Sequence, residues 1–322
     1  MKNAGILCGG FSSEFDISVK SATNIFNNFP TEYRPFLILV KKEGWFVQTQ
    51  TQELEELNSR DLTFKLGQET IKIDFAIIYI HGDPGENGKI QSYLEMIDVP
   101  YVNSGPLASQ LSFDKWYCNQ FIKGFGYEVA DSIYMSDPST EIDSEKIIEQ
   151  LDLPIFVKPC DSGSSFGIEK VNQVENLKSA VENAFREGST IVLEGFLDGI
   201  EVTCAVYRDK DGVQTLPLTE IVSENDFFDY EAKYKGLSQE ITPARISDEL
   251  TVKIQDMTSA IYTLMQLRSV ARIDFIIVNG VPNIIEVNSI PGFSNESIVP
   301  KMLESADISM NQFWQSILAA EL

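Results

Sequence analysis

The feature that most restricts this chain is the regular alternation, over its first hundred residues, of short apolar segments, glycine turns and amphipathic helical stretches. Residues 3–8 form an apolar run, and Gly9-Gly10-Phe11-Ser12-Ser13 makes a turn. Phe15, Val19, Ala22 and Phe26 then recur at the spacing of one helix face. Residues 33–41 read as a second strand and 73–80 as a buried one ending at His81-Gly82. The turn formers Asp83-Pro84-Gly85-Glu86-Asn87-Gly88 follow, and a helix begins near Lys89 with Ile90, Leu94 and Ile97 inward. Strand–loop–helix repetition of this kind predicts an α/β unit built on a parallel sheet, with ligand loops at the strand C-termini.

A length of 322 residues calls for more than one such unit. A boundary falls in Y-V-N-S-G at 101–105, before a helix carrying Asp114 and Lys115. From 155 onward the pattern becomes α+β, with strands at 155–159, 168–171, 191–193 and 202–207 and a helix over 174–186. The expected division is 1–103, 104–190 and 191–322. Apolar and charged contents of 43% and 23% are those of a soluble globular chain. The longest apolar runs, such as 75–80, are too short to span a bilayer, and the N-terminus shows no signal-peptide cleavage pattern. A cytoplasmic location is expected, with no membrane partner.

Charge narrows the choice of ligand. The chain carries 25 basic against 48 acidic residues, a net −23, which repels phosphate backbones and argues against nucleic acid. An anionic ligand must therefore be held by a local group of cations. Cys8, Cys118, Cys160 and Cys204 are far apart, and His81 is the single histidine, so the usual zinc spacings are absent. Buried, reduced thiols are expected.

Three segments carry chemistry. In V-K-P-C-D-S-G-S-S-F-G at 157–167, glycines and hydroxyls between two strands suit a phosphate cradle behind Lys158, although a plain turn has the same composition. No Gly-Lys-Ser/Thr follows, so it is not a P-loop. Residues 271–278 form a strand, Asn279-Gly280 a turn and 283–288 the return strand. Side chains two apart share a face, so Arg272 sides with Asp274 and Glu286 with Asn288. Two carboxylates and an amide oxygen are hard ligands suited to Mg²⁺, and the same spacing also fits a surface salt-bridge ladder. Register separates two geometries. A two-residue Asn279-Gly280 turn would set Asp274 opposite Ile285, whereas a three-residue loop including Val281 would set it opposite Glu286. Because Pro282 has no N–H to give, the longer loop is expected. Lastly, residues 225–236 mix aromatics and charges without period, as a working loop or an irregular surface loop would.

Taken in order, G-G-F-S-S-E (9–14), H-G-D-P-G-E-N-G (81–88), D-K (114–115), the 157–167 segment, D-Y-E-A-K-Y (229–234), R-I-D-F (272–275) and E-V-N-S-I-P-G-F-S (286–294) resemble the D-alanine–D-alanine ligase family of the ATP-grasp superfamily, nearly end to end. The resemblance implies a Rossmann-like N-terminal domain followed by a two-part ATP-grasp fold. It also implies ATP-dependent joining of two D-alanine molecules through an acyl phosphate, giving ADP and phosphate, for peptidoglycan and the cell wall. On matching positions, Lys115, Lys158 and Lys233 would hold phosphates, with Ser164 and Ser165 in the cradle and Glu194 and Glu201 at the adenine amine and ribose. Asp274, Glu286 and Asn288 would hold two Mg²⁺ ions, with Mn²⁺ as a substitute. Glu14 would receive the ammonium of the first D-alanine, and Arg272 and the Gly292 N–H would meet the tetrahedral intermediate. Ser297, with Lys233, would bind the second carboxylate. His81 would lie on the substrate side, and Ser164 and Tyr234 would link hairpin to loop. A homodimer is implied.

The chain departs from the family in three places. Phe15 stands where histidine is usual, Asn119 where a second lysine is common, and Glu296 at a variable position. Tyr234 is the residue type of amine acceptors, whereas depsipeptide-forming relatives carry histidine in that loop. Two other readings remain open: an ATP-grasp ligase using another amino acid in one subsite, as Phe15 would allow, and a catalytically silent ATP-binding homologue.

Overall fold

The computed structural model describes residues 1–49, 53–161, 167–223 and 238–322. The first unit contains β1 (Lys2–Gly9), α1 (Phe15–Asn27), β2 (Tyr33–Lys41), β3 (Gly44–Gln48) and β4 (Leu54–Leu57). A hairpin of β5 (Thr63–Leu66) and β6 (Glu69–Lys72) follows, then β7 (Phe75–Ile78), α2 (Lys89–Met96) and β8 (Tyr101–Val102). The sheet runs β4-β3-β2-β1-β7-β8. Its β2-β1-β7-β8 part is parallel, as the alternation predicts, because β1 and β7 are covered on both faces and read as continuous apolar runs. The antiparallel edge β3-β4 and the β5–β6 hairpin have no such run to announce them.

The loops that leave the C-terminal ends of β1 and β7 touch one another. Gly10 donates to the Val40 carbonyl at 2.9 Å and Phe11 to the Asp83 carbonyl at 2.7 Å. A Cβ on Gly10, at φ +97°, would come within 2.9 Å of the Asp83 oxygen. Only glycine allows this crossing, which sets Glu14 at the head of α1 beside His81 and Gly82.

The second unit packs α5 (Ser144–Leu151) and α6 (Leu177–Glu187) on an antiparallel sheet ordered β11-β10-β12-β9. These strands are β9 (Ser132–Met135), β10 (Ile155–Pro159), β11 (Glu169–Val171) and β12 (Ile191–Gly195). It is reached through α3 (Pro106–Phe113) and α4 (Lys115–Lys123), the latter capped by the Asp114 carboxylate, which accepts from Trp116 and Tyr117 N–H.

The third unit contains β13 (Ile200–Asp209), β14 (Gly212–Thr215), β15 (Thr219–Ser223), β16 (Ser238–Ile241), α7 (Asp248–Leu264), β17 (Val270–Val278) and β18 (Val281–Asn288). The order is β16-β15-β13-β17-β18, with β14 also on β13. In β17 the burial alternates: Ile273, Phe275 and Ile277 enter the core against α7, while Arg272, Asp274 and Ile276 face a cavity.

The β17–β18 hairpin corrects one expectation. Val278 pairs with Val281, so the turn is the two-residue Asn279-Gly280, with φ of +50° and +79°, not the longer loop. Pro282 is no obstacle. In the ladder it falls on a non-hydrogen-bonded position whose N–H side faces away from β17, on an edge strand. Two residues on, the Ile284 N–H points the same way and reaches the Glu128 carbonyl at 2.9 Å. Asp274 nevertheless opposes Glu286, because a bulge at Ile285 shifts the register between Phe275–Ile284 and Asp274–Glu286. Both Ile285 and Glu286 therefore face the cavity.

The chain then returns to its beginning. Helices α8 (Ile298–Ser305) and α9 (Met310–Glu321) bring Val299, Met302, Phe313 and Trp314 into the same core as β1 and β7. The Trp314 ring lies 5.9 Å from Tyr79 and 5.3 Å from Phe293 in edge contacts. All four cysteines are free and buried, and burial pushes Cys8, Cys160 and Cys204 up to about 12. No helix among the described residues is long and apolar enough to cross a membrane. Trp314→Ala should cost about 3–5 kcal/mol by emptying this junction. Urea unfolding checks it, and an unchanged midpoint would contradict the packing.

Candidate active site

Two cavities meet between the units, and Arg272, Glu286 and Ile298 line both. The first, of about 170 Å³, is enclosed by the head of α1, the loop after β7 and the turn between β18 and α8. Glu14, His81, Glu86, Arg272, Gly292 and Ser297 all line it. The turn is held by three groups of the first unit. Asn24 Nδ2 donates to the Phe293 carbonyl at 2.8 Å, and the Phe293 N–H donates to Ser21 Oγ at 3.2 Å. Ser21 Oγ lies 3.2 Å from His81 Nε2, and the ring also meets the Ile290 backbone. Burial lowers the His81 pKa, which favours the neutral ring.

Ser297 caps α8 without a side-chain bond to the helix. Its Oγ instead accepts from the Ser294 N–H at 3.0 Å and lies 2.9 Å from Ser294 Oγ. The helix N-terminus thus faces the cavity with its positive dipole end, beside Ile298. A Cβ on Gly292 would lie 3.0 Å from Ser297 Oγ, so the turn approaches this hydroxyl closely.

The second cavity, of about 140 Å³, lies between the β10–β12 sheet and the β13–β17–β18 face. Lys115, Lys158, Glu194, Glu201, Asp274 and Glu286 line it, with Phe156, Leu197, Ile276 and Ile285 as apolar walls. Lys158 Nζ pairs with Glu194 Oε2 at 2.5 Å, and Lys115 Nζ with Glu286 Oε1 at 3.4 Å. Burial pulls the Lys115 pKa down, but Glu286 and Glu194 outweigh it and the net direction is up, so this lysine is a fixed cation.

Across the junction, Arg272 binds Asp274 through Nε and Nη2, both at 2.9 Å. Asp274 also accepts from Thr203 Oγ1 at 2.5 Å and from Asn288 Nδ2 at 3.0 Å. Asp274, Glu286 and Asn288 thus lie together on facing strands and supply hard oxygen donors. Asn288 turns its nitrogen toward Asp274, and half a rotation of its amide would present the oxygen. The donor set fits a small divalent cation. Among the described residues no group of three or more His, Cys, Asp or Glu forms a metal site.

Ser164, Ser165, Lys233 and Tyr234 lie outside the described residues. Phe15 is not among the residues that line the first cavity; its ring lies under Gly9, where a Cβ would come within 2.6 Å of it. Two residues had no role assigned from sequence. Thr203 could have been found, because it shares a β13 face with Glu201 and pairs with Asp274. Glu86 lies inside the H-G-D-P-G-E-N-G motif and lines the first cavity, accepting from the Gly82 N–H at 2.7 Å.

A cleft between two α+β units, edged by lysines and by carboxylates on a strand pair, is the arrangement expected of an ATP-grasp fold. Comparison with known proteins narrows the class. The family pattern "D-ala D-ala ligase N-terminus" matches residues 3–104 and "D-ala D-ala ligase C-terminus" matches residues 121–319. The D-alanine–D-alanine ligase of Azobacteroides pseudotrichonymphae is 42% identical over 321 residues, 99% of each chain. Among solved structures, D-alanyl-alanine synthetase A from Vibrio cholerae superposes with a TM-score of 0.88 at 28% identity, covering 99% of this chain and 98% of that one. The VanG D-Ala:D-Ser ligase from Enterococcus faecalis gives 0.87 at 28%, covering 100% and 99%. The chain belongs to the D-alanine–D-alanine ligase family, a family of ATP-dependent carboxylate–amine ligases.

The cavity predicts a pH dependence. Burial, then the neighbouring Glu14 carboxylate, raises the Glu86 carboxyl to about 8. The folded chain thus keeps a proton that the unfolded chain releases. That contribution is complete at low pH and is lost as pH rises toward 8, by up to about 1.4 kcal/mol per unit. Glu86→Gln should therefore gain stability relative to the unaltered chain between pH 5 and 8. Parallel stability curves in urea titrations at these pH values would refute the assignment.

Proposed function

We propose that this chain joins two D-alanine molecules to D-alanyl-D-alanine at the expense of ATP, in the cytoplasm and as a homodimer, as a step toward peptidoglycan. The observation that carries the reading is the position of Arg272, on the wall shared by an acidic amino-acid cavity and a lysine-edged nucleotide cavity. The division of labour follows the proposed units. Residues 1–103 supply the first amino-acid subsite, 104–190 the hairpin side of the nucleotide cleft, and 191–322 the carboxylate strands.

Lys115, Lys158 and Lys233 would steer the triphosphate against a net charge of −23, with Ser164 and Ser165 at its end. Glu194 and Glu201 would receive the base amine and the ribose. The carboxylate of the first D-alanine attacks the γ-phosphorus, the bond to the β–γ bridging oxygen breaks, and ADP leaves. Glu14 is the counter-ion for the ammonium of that substrate, so the carboxylate end points toward Arg272. Ser297 and the α8 N-terminus, with Lys233, suit the carboxylate of the second. The amine of the second substrate attacks the acyl carbon, and Arg272 with the Gly292 N–H stabilises the oxyanion before phosphate departs. Asp274, Glu286 and Asn288 would hold two Mg²⁺ ions, replaceable by Mn²⁺, to neutralise the phosphate oxygens. Ser164 and Tyr234 would join hairpin to loop across the products.

Similarity to a D-Ala:D-Ser ligase keeps a second reading in view, a different amino acid in the second subsite. Phe15 packs under Gly9 and does not line the first cavity, which speaks against an altered first subsite.

Incubation with ATP, Mg²⁺ and a panel of D- and L-amino acids and D-lactate, followed by mass spectrometry, tests the proposal. ADP, phosphate and D-alanyl-D-alanine should appear together, with D-alanine preferred. Preference for another acceptor would favour the second reading, and nucleotide binding without turnover would leave a silent homologue. Lys158→Ala and Glu286→Gln should each lower kcat/KM by roughly 10²–10³. A rate within a few-fold of the unaltered chain would remove those residues from the site.

A further inference from the structure

One residue that lines the nucleotide cavity carries a buried polar atom with no hydrogen bond in the described structure. Asn119 stands on α4 one helical turn after Lys115, on the same face, and is 3% exposed. Its Nδ2 donates to Glu194 Oε1 at 3.3 Å, while Glu194 Oε2 is bound to Lys158. A carboxylate only accepts, so the Asn119 amide must turn its NH₂ toward Glu194 and its oxygen away. Among the described residues that oxygen, Oδ1, has no hydrogen-bond partner, although it is buried and its residue lines the cavity. A buried acceptor left without a donor is costly, so the oxygen is suited to a donor that a ligand brings.

We propose that Asn119 is a specificity-determining residue of this chain, whose Oδ1 forms with Glu194 a two-acceptor edge for the exocyclic amine of a 6-aminopurine nucleotide. The inference rests on the placement of the base at Glu194 proposed above. The Phe156, Leu197, Ile276 and Ile285 side chains give the flat ring its apolar walls, and the polar end of the slot is then Glu194 and Asn119. A 6-amino group carries two N–H donors and can meet both acceptors. A 6-oxo group brings lone pairs to the same place, so the Asn119 oxygen stays unpaired and the Glu194 carboxylate, already bonded to Asn119 and Lys158, faces a repelling acceptor. Discrimination thus comes from the unpaired oxygen and that repulsion as much as from the bonds made.

The test uses the full chain, D-alanine and three nucleotides that differ only at position 6: ATP, purine riboside triphosphate with hydrogen there, and ITP with oxygen. Asn119→Leu keeps the shape and removes the amide; Asn119→Ala adds no bulk and is read in parallel in case the leucine is not accommodated. Removal of one hydrogen bond should raise KM for ATP about tenfold and leave KM for purine riboside triphosphate within about twofold of the unaltered chain, so that the ATP preference over ITP shrinks. Equal increases for ATP and the purine analogue would overturn the proposal, since a merely structural role would move both. An ATP:ITP ratio in the variants equal to that of the unaltered chain would overturn it too. If the unaltered chain itself did not distinguish the three nucleotides, the placement of the base at Glu194 would fall along with it.

Discussion

The turn from Ile290 to Ser294 has no regular structure of its own, yet it forms one wall of the first cavity, and the first unit holds it there. Ser21 and Asn24 on one face of α1 grip the two ends of Phe293, and the neutral His81 ring braces Ile290. Because each bond joins residues more than two hundred positions apart, except the short Ser21–His81 link, the cavity exists only when the third unit is docked on the first. Gly292, Ser297 and the head of α8 take their positions from that docking. The buried histidine is thus a strut as well as a lining residue, and its burial explains why the ring is neutral.

The second constraint is electrostatic. Among the described residues, each cation that faces the cavities is matched to a carboxylate: Arg272 to Asp274, Lys115 to Glu286, Lys158 to Glu194. In a chain with a strong negative balance, this arrangement keeps the cations in place before any anion arrives. Asp274 accepts from Arg272, Thr203 and Asn288 at once. It fixes the orientation of the guanidinium between the two cavities, where a developing negative charge would gain most from a preorganised donor.

Much of this was legible in the residues. The strand–glycine–helix alternation gave the parallel sheet, and alternate polar side chains in β17 and β18 marked the face that holds Arg272, Asp274, Glu286 and Asn288. What pattern could not give was the means. Asp274 faces Glu286 through a bulge at Ile285, and an apolar residue there gives no sign that it is an insertion in the ladder. Pro282 suggested a longer loop because its missing N–H matters only if the position is a hydrogen-bonded one, which depends on register. The β3–β6 segments, half-buried and short, lacked periodicity to read. Glu86 was visible as a letter in a motif, but its raised pKa depends on Glu14, seventy-two positions away, and on burial.

The return of α9 to the first core has a consequence for how the molecule comes into being. The core around β1 and β7 includes Phe293, Val299, Met302, Phe313 and Trp314, all from the last thirty residues. During synthesis the N-terminal segment emerges first, but the apolar surface it must cover stays open until α9 has been made. Vectorial production therefore cannot complete this unit early, and the first cavity, whose lining runs from Glu14 to Ile298, is assembled only after those late residues have emerged.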